Sequence, residues 1–320
     1  MKRKIITGAE LGIADRDVVV SGRLLRVAAI RDEEWVQGQP VEDPEKFLSR
    51  LTQRGAVADL FAFTRALPET ERRYPHHVEM ENAAVAPCAD FKKWWDGLPQ
   101  ESRKNVRRSE RRGVTVRRAV FDDALVAGIS VIYNETPLRQ GRKFWHYGKP
   151  LDRVKAENAT YLDRGIFIGA YFEESLVGFI KMVRVNSVCR IMQILSLDAH
   201  VDKRPTNALL AKAVEFAHAD GATHLVYGRY VYGNKENSPM TEFKRRNGFE
   251  RLEYPRYFVP LTARGRLALA AGLHRGAARL LPEPVTNLLL TVRQSLYRRT
   301  LAKTAKESDS GNDVDKRERV

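Results

Sequence analysis

Three runs rich in β-branched and aromatic residues follow one another between residues 165 and 197. They read GIFIGAYF, SLVGFIKMVRV and VCRIMQILSL, and only the pairs Glu173–Glu174 and Asn186–Ser187 separate them. Such short turns between strand-like runs are typical of an antiparallel meander. The chain must therefore build a sheet around these strands, and the segments on either side must pack on its faces.

A helix and a strand are predicted directly after the meander. Within residues 206–220, one helical face carries Leu209, Leu210, Ala213, Val214 and Ala217. Gly221 follows and is a typical helix stop. The run THLVYGRYVYG then predicts the next strand.

A short basic helix is predicted from Ser238. Ser238 is a favourable N-cap residue, and Pro239 occupies the first helical position, which tolerates proline best. Gly248 ends this helix, and the run FERLEYPRYFVPL returns to strand.

The first half of the chain predicts a similar mixture. Two helices are expected before the meander, over residues 122–137 and 150–164. Further upstream, strands are expected in the ranges 18–30, 57–67, 76–87 and 114–120, with a short helix over 44–51 and a helical segment over 90–113 that breaks at Gly97–Pro99.

Positive charge is concentrated on one helical face of the 90–113 segment. Its cations recur at spacings of three and four, and Glu110 is the only acidic residue among them. The cations are Arg103, Lys104, Arg107, Arg108, Arg111 and Arg112. Together with a formal net charge of +15, this density favours an anionic partner such as a nucleotide diphosphate, tRNA or lipid headgroups over a merely solvated face.

The remaining composition excludes several classes of protein. The two cysteines, Cys88 and Cys189, fit no metal-ligand spacing, so we expect ordinary buried thiols and no metal. The N-terminal run MKRKIITGAELGIADRD has no apolar core of a signal peptide. No run reaches the roughly 18 apolar residues of a membrane span, so a soluble cytoplasmic protein is expected.

The order of elements from residue 122 resembles the GNAT acyltransferase fold. The runs LPQESRKNVRRSERRGVTVRRAV and NALLAKAVEFAHADGATHLVYGRY, followed by SPMTEFKRRNGF, resemble the Fem-type branch of peptidoglycan-bridge aminoacyltransferases. The resemblance implies an α/β (α+β) fold with a mixed, mostly antiparallel sheet flanked by helices. It also implies a degenerate GNAT-like half over residues 1–118, a GNAT domain over 119–262 and a basic helical tail over 263–320.

The resemblance further implies a donor site at the turn DAHVDKRPTNALL. GNAT enzymes bind the pyrophosphate of acyl-CoA at the start of the following helix, where backbone N–H groups and the helix dipole favour an anion. The residues in the corresponding places are Lys203, Arg204, Thr206, Asn207 and Ala208. Thr206 stands where the family pattern has glycine, and an ordinary helix start capped by Thr206 or Asn207 is the alternative.

Candidates for the chemical step come from the strand ends of the same fold. The resemblance implies that backbone near Leu195 and Leu197 polarises the acyl carbonyl, and that Asp198 or His200 is a base. It also implies that Tyr232 is a general acid. Surface or packing roles remain the alternatives for all three side chains.

Lys244 follows Phe243 in a family-like FK pair. The matching lysine of Fem-type relatives lies near the phosphates of the donor or acceptor, so Lys244 is predicted to face the cleft. A solvated lysine on the helix is the alternative.

The tail carries a second candidate for binding. Residues 285–303 combine an apolar stripe with arginines and a lysine, so this helix is expected either to lie on the inner face of an anionic membrane or to dock on protein. Residues after 306 are polar and are expected to be disordered.

The function expected from these features is the transfer of an acyl group from acyl-CoA, or from aminoacyl-tRNA, to a small-molecule or peptide amine. A non-catalytic GNAT-like protein that binds RNA or an anionic membrane surface is the alternative. A splayed strand pair at Leu195–Leu197 and Val226–Arg229 would distinguish the acyltransferase fold.

Overall fold

The computed structural model describes residues 4–7, 16–53, 55, 58–139, 142–233 and 237–275. The strands are β1 Lys4–Ile6, β2 Val18–Ser21, β3 Val27–Ile30, β4 Leu60–Thr64, β5 His77–Pro87, β6 Val114–Ala119, β7 Leu138–Arg139, β8 Arg142–Lys143, β9 Gly165–Phe172, β10 Ser175–Val185, β11 Val188–Ser196, β12 His224–Val226 and β13 Glu250–Pro260. The helices are α1 Pro44–Gln53, α2 Phe91–Gly97, α3 Gln100–Arg111, α4 Asp123–Asn134, α5 Leu151–Asn158, α6 Pro205–Ala219, α7 Pro239–Arg246 and α8 Ala263–Ala270. Three short 3₁₀ turns cover Glu33–Trp35, Asp198–Lys203 and Leu273–Arg275.

Eleven of the described strands form one mixed sheet. Their order is β1-β2-β3-β4-β13-β5-β12-β11-β10-β9-β6. The predicted meander is confirmed, because β9, β10 and β11 pair antiparallel in sequence order. Only the β3–β4 and β11–β12 pairs are parallel. This mixed, mostly antiparallel sheet with flanking helices confirms the predicted fold class.

The strand β13 ties the first third of the chain to the rest. It lies between β4 and β5, and it pairs antiparallel with both. On the other side β6 pairs with β9, although β6 itself crosses the predicted boundary at 118/119. The sheet therefore runs without interruption through both predicted halves, and a division at 118/119 stays a proposal.

The largest hydrophobic clusters of the described residues lie on two parts of the sheet, and a smaller cluster lies around Val85 and Val226. The larger core places α2, α3 and α6 against the strands β9 to β12 and contains Trp94, Val106, Ile180 and Leu210. The second core lies under α1, where Phe47, Phe61 and Phe63 stack at centroid distances of 4.9 and 5.5 Å. Burial of large side chains at these two places supplies the main stabilisation of the sheet.

The described residues 133–139, 142–150 and 275 belong to a second compact unit. Its hairpin pairs β7 with β8. Within it the ring of Tyr133 lies 4.2 Å from that of His146, and the Lys149 ammonium lies 4.0 Å from the Trp145 ring. The sequence did not predict this hairpin.

Local signals predicted several elements well. Ser238 caps α7, since its Oγ accepts the amide of Thr241 at 3.1 Å, and Pro239 is the first helical residue. The break at Gly97–Pro99 separates α2 from α3. Both cysteines are buried free thiols, and burial raises the pKa of Cys88 to about 12 and that of Cys189 to about 11.

Other predictions were wrong in extent. The helix expected over 150–164 ends at Asn158, and the strand expected over 223–233 covers only His224–Val226. The predicted tail helix at 285–303 and the disordered end lie outside the described residues. Among the described helices, none combines the length and the apolar character needed to cross a membrane.

Candidate active site

The strands β11 and β12 separate after a short parallel contact. They pair at three positions, the last of which joins Arg190 to Val226. Beyond it, β11 continues along β10 to Ser196, whereas Tyr227 and Gly228 exchange backbone hydrogen bonds with Ala84 on β5. The splayed pair that was expected for an acyltransferase fold is therefore present.

The direction of the β11 amides follows from the ladder with β10. The amide of Leu197 donates to the carbonyl of Val177 at 2.9 Å, so it faces β10. Amides alternate in direction along a strand, so that of Leu195 also faces β10, and those of Ile194 and Ser196 face the splay. The prediction that the Leu197 amide polarises an acyl carbonyl is therefore wrong. The amides of Ile194 and Ser196 are the candidates in its place.

Both chain segments that leave the splay run into a helix. After β11 the chain passes through the Asp198–Lys203 turn into α6, and after β12 it passes through a loop into α7. The two helices meet where the Asn207 amide nitrogen donates to the Asn247 side-chain oxygen at 2.9 Å. The predicted donor turn and the predicted FK helix are thus brought together at one end of the sheet.

Lys244 is the most unusual side chain at this place. It is fully buried, and its Nζ donates to the backbone carbonyl of Arg229. Nζ also lies 4.5 Å from the ring centroid of Tyr227 and 4.8 Å from that of Tyr232, which is a cation–π geometry for both rings. Burial lowers the pKa of Lys244 to about 8. A solvated helix lysine, the alternative at the sequence level, is therefore wrong.

The two tyrosines differ in exposure. Burial, with a smaller contribution from Tyr232, raises the pKa of Tyr227 to about 12. Tyr232 is half-exposed, and its hydroxyl closes over Gly228, where an added Cβ would lie 2.9 Å from it. Lys244 and these tyrosines therefore form one cluster with a buried cation below and a phenol that reaches solvent above.

The loop between β12 and α7 is held by β5. The guanidinium of Arg229 lies 2.9 Å from the Glu81 carboxylate, and the amide of Val231 donates to the Asn82 side chain at 2.7 Å. Glu81 also binds Arg256 at 3.1 Å, and Arg256 binds Glu33 at 3.0 Å. This chain of ion pairs, which is buried at Glu81, Arg256 and Glu33 and more open at Arg229, helps to fix the backbone carbonyl to which Lys244 donates.

The predicted donor site needs backbone amides of the turn before α6 to point at a ligand. Most of these amides instead donate hydrogen bonds within the chain. The amides of Arg204, Asn207 and Ala208 donate to nearby carbonyls, and Pro205 has no N–H. The Thr206 hydroxyl lies 2.8 Å from that of Ser196, so Thr206 does not cap the helix. Arg204 is the N-cap residue in a left-handed conformation, and no side chain caps the helix.

Three other predicted residues lie in the turn itself. The Lys203 ammonium lies 4.7 Å from the Phe172 ring and 3.6 Å from Asp202. Asp198 is exposed, while the His200 ring packs 5.4 Å from that of Phe172. Their roles as base or donor ligand stay predictions.

The basic helix α3 lies beside this turn. The guanidinium of Arg112, at its end, binds Asp202 at 2.8 Å, and the Ser102 hydroxyl donates to the carbonyl of Arg246 at 2.5 Å. The side chains of Lys104, Arg107 and Arg111 are exposed. Positive charge therefore borders the end of the sheet at which β11 and β12 separate.

Sequence reasoning missed the residues that support the cluster. Tyr227 was placed on the strand, but Arg229, Glu81, Asn82 and Asn247 were not recognised. Each acts through a partner that is distant in sequence. Arg229 and Glu81, for example, are 148 residues apart in the chain. The one local signal for these residues was the run VEMEN on β5, in which Glu79 and Glu81 place two carboxylates on a strand.

Comparison with solved structures finds the same fold at low sequence identity. The chain matches FemX with a TM-score of 0.54 at 11% identity, over 84% of this chain and 89% of that one. It matches L-PGS from Bacillus licheniformis with a TM-score of 0.53 at 13% identity, over 85% and 87%. It also matches the C-terminal domain of a "putative lysylphosphatidylglycerol synthetase" from Agrobacterium fabrum, with a TM-score of 0.51 at 15% identity, over 81% and 85%.

The chain therefore has the fold of FemX. Comparisons with family models and with curated proteins found no match. The likeness therefore concerns the fold and does not identify the substrates.

Proposed function

We propose that this protein is an acyltransferase that moves an aminoacyl group from a charged tRNA to an amine acceptor. The observation that carries the proposal is the splay of β11 and β12, with the Lys244 cluster beside it. Such a splay gives an acyl group a place to lie between two strands. It also turns the backbone amides of Ile194 and Ser196 toward the acyl oxygen.

The reaction needs one bond exchange and one proton transfer. The acceptor amine attacks the acyl carbonyl carbon, a C–N bond forms, and the ester C–O bond to the tRNA ribose breaks. The amine loses one proton and the ribose oxygen gains one. Tyr232 is proposed as the donor of that proton, because its hydroxyl is half-exposed above the buried Lys244 cation.

Lys244 is proposed to stabilise the negative charge that develops on the leaving oxygen. A buried cation acts strongly there, because little water screens it. The hydrogen bond to the Arg229 carbonyl and the two rings fix its position before the substrate arrives. This arrangement is electrostatic preorganisation, and no rearrangement of the lysine is required.

The turn before α6 supports a tRNA donor over a coenzyme A donor. A pyrophosphate cradle needs backbone N–H groups that point at the ligand. Three amides of this turn already donate within the chain, and Pro205 contributes none. Phosphates would therefore be bound by side-chain cations such as Lys203, Arg204 and those of α3, as in the binding of a nucleic-acid backbone. The fold shared with FemX and with a lysylphosphatidylglycerol synthetase supports aminoacyl chemistry.

Acyl-CoA is the second candidate donor. The α6 helix has 15 residues and no capping side chain, and its dipole favours an anion at Arg204–Pro205. Lys203 lies at the position where the acyl-CoA-binding pattern has a cation.

The deciding experiment compares both donors on the same protein. Total tRNA charged with labelled amino acids is bound on filters at low and moderate salt, with uncharged tRNA as the control. Transfer of label is then measured to three probes, namely a lysine-containing peptide, an aminosugar and phosphatidylethanolamine vesicles. In parallel, thermal shift is recorded with acetyl-CoA, longer acyl-CoAs and free CoA.

Preferential binding of charged tRNA with transfer to one probe supports the proposal. A saturable increase in melting temperature with acyl-CoA, which Lys203→Ala and Thr206→Glu remove, would make acyl-CoA the donor in place of aminoacyl-tRNA. Salt-sensitive binding of any polyanion with no transfer would instead mean a non-catalytic binding protein, the function that the exposed cations of α3 favour.

A further inference from the structure

Two histidines and a glutamate meet at the far end of β5 from the splay. His77 and Glu79 are two residues apart on β5, so their side chains lie on the same face of the sheet. His274 approaches them from the short turn that follows α8. One ligand atom from each residue lies within 4.8 Å of the others.

The spacing of these atoms is close to that of metal ligands. Nε2 of His274 lies 2.6 Å from Oε1 of Glu79, and Nε2 of His77 lies 3.9 Å from the same oxygen. Ligand atoms on a tetrahedral zinc ion, with bonds of about 2.1 Å, are about 3.4 Å apart. The two observed separations lie on either side of that value, and side-chain rotations would bring the three atoms to it.

His274 is held almost entirely out of solvent beside the other two residues. Its side chain is 1% exposed, and its Nε2 faces the Glu79 carboxylate. Nδ1, the other ring nitrogen, has no hydrogen-bond partner within the described structure. The nitrogen that faces the carboxylate and the second imidazole is the one from which the ring would bind a metal ion.

The surroundings suit a small divalent cation. The two imidazole rings stand at 86° with centroids 5.2 Å apart, so they approach one point from different directions. The Phe258 ring covers His274 at 4.8 Å and forms an apolar wall. The His77 side chain is 40% exposed and leaves a path from solvent.

We propose that His77, Glu79 and His274 bind a Zn²⁺ ion. Two imidazole nitrogens and one carboxylate oxygen form a ligand set that zinc prefers, and the fourth position remains for water. The ion fastens the end of the α8 segment to β5. The start of α8 is already held there, because Arg264 and Thr262 bind Asp59 at 3.0 Å. The site is independent of the acyl-transfer proposal.

Cobalt titration tests the site. The full chain, free of any histidine tag, is dialysed against a chelator and titrated with Co²⁺, whose visible absorption is intense in four-coordinate sites. Competition with Zn²⁺ then gives the zinc affinity. The variants are His77→Gln and Glu79→Gln, which change partly exposed positions, and His224→Gln is the matched control.

The proposal predicts one saturable equivalent of Co²⁺ in the wild type and in His224→Gln. It also predicts displacement by zinc and an affinity at least about tenfold weaker in His77→Gln and Glu79→Gln. Absence of saturable binding in the folded wild type would overturn it. Equal affinity in the wild type and both ligand variants would also overturn it.

Discussion

The ammonium group of the buried Lys244 lies 4.5 Å from the ring centroid of the partly buried Tyr227, beside the point where β11 and β12 separate. A lysine without a carboxylate partner is expensive to bury, and its lowered pKa expresses that cost. Side chains that cost stability in a cleft are frequent at functional sites. The first prediction follows from this pair.

Replacement of Lys244 by methionine should abolish transfer without unfolding the protein. Methionine fills a similar volume and removes the buried charge, so the melting temperature should change little. The rate should fall by about 10²-fold or more, because the cation acts on charge that develops at the leaving oxygen. Single-turnover transfer and thermal unfolding check the two parts.

Arg246→Met is the matched control for that variant. It removes a cation from the same helix, but its side chain is exposed and pairs with Glu242. Its transfer rate should stay near the wild-type value. A Lys244→Met protein that transfers at the wild-type rate would exclude Lys244 from the chemistry.

The Tyr232 hydroxyl can be tested separately from its ring. In Tyr232→Phe the ring still covers the Lys244 ammonium, so the cluster should persist and the melting temperature should stay unchanged. Loss of the proton donor should lower kcat by about 10²-fold, with a smaller effect on KM. Tyr171→Phe, which alters a tyrosine under Arg117, serves as the control. Unchanged kcat in Tyr232→Phe would leave Tyr232 a packing role only.

Glu81 should stabilise both the fold and the loop that carries Tyr232. Its carboxylate binds Arg229 at 2.9 Å and Arg256 at 3.1 Å, and it accepts the Tyr254 hydroxyl at 3.2 Å. Glu81→Gln removes a buried charge from between two arginines, so the free energy of unfolding should fall by about 3 kcal/mol. Urea unfolding at neutral pH measures the change.

The effect of Glu81→Gln should depend on acidity. Burial raises the pKa of Glu81, but the charges of Arg256 and Arg229 outweigh it, so the pKa is lower than in the unfolded chain. The stabilisation is therefore present above the ordinary glutamate pKa and is lost as the pH falls through the lowered value. The exposed Glu253→Gln should cost less than about 0.5 kcal/mol. An equal cost in both variants would contradict the buried network.

The elements that the sequence predicted are those whose causes are local. Ser238, Pro239 and Gly248 define α7 without reference to the rest of the chain, and the turns of the meander do the same for three strands. Local sequence patterns do not predict that β13 lies between β4 and β5 in the sheet, because those pairings join residues far apart in sequence.

The site was predicted only in outline for the same reason. Lys244 was selected from the FK pair, but its burial depends on how residues 227–232 lie over it, and Arg229 and Val231 of that stretch are held by Glu81 and Asn82 on β5. The direction of the β11 amides depends on register with β10, which residue types do not reveal. His274 and Glu79 are 195 residues apart, so no spacing rule could join them.

A second buried lysine gives a prediction about stability and pH. Lys181 on β10 donates from Nζ to the Asn158 carbonyl at 2.8 Å and to the Thr160 hydroxyl at 2.7 Å. Burial lowers its pKa to about 8, from 10.5 in the unfolded chain. The unfolded state therefore binds more protons between these values, so the penalty is complete below pH 8 and is relieved as the pH rises.

Comparison with Lys181→Met isolates this contribution, since other groups titrate equally in both proteins. The unfolding free energy of the wild type minus that of the variant should rise by up to roughly 1 kcal/mol per pH unit between pH 8 and pH 10. Lys104→Met, which removes an exposed ammonium from α3, is measured alongside as the control. A flat difference for Lys181 would mean that its ammonium is as well solvated when folded as when unfolded.

Gly248 should be the glycine at which an added methyl group is most costly near the site. It ends α7 with φ of 73°, in the left-handed region, and a Cβ there would lie 2.5 Å from the Trp94 indole nitrogen and 2.7 Å from Leu98. The backbone cost of about 1 kcal/mol and the overpacking cost of about 1–3 kcal/mol add, so Gly248→Ala should destabilise by about 2–4 kcal/mol. It should also weaken transfer, because α7 carries Lys244.

Gly97→Ala is the matched control. Gly97 ends α2, and a Cβ added there meets open space, so this variant should be more stable than the wild type by about 0.5 kcal/mol. Equal unfolding free energies for the two variants would mean that α7 does not pack on Trp94 as described.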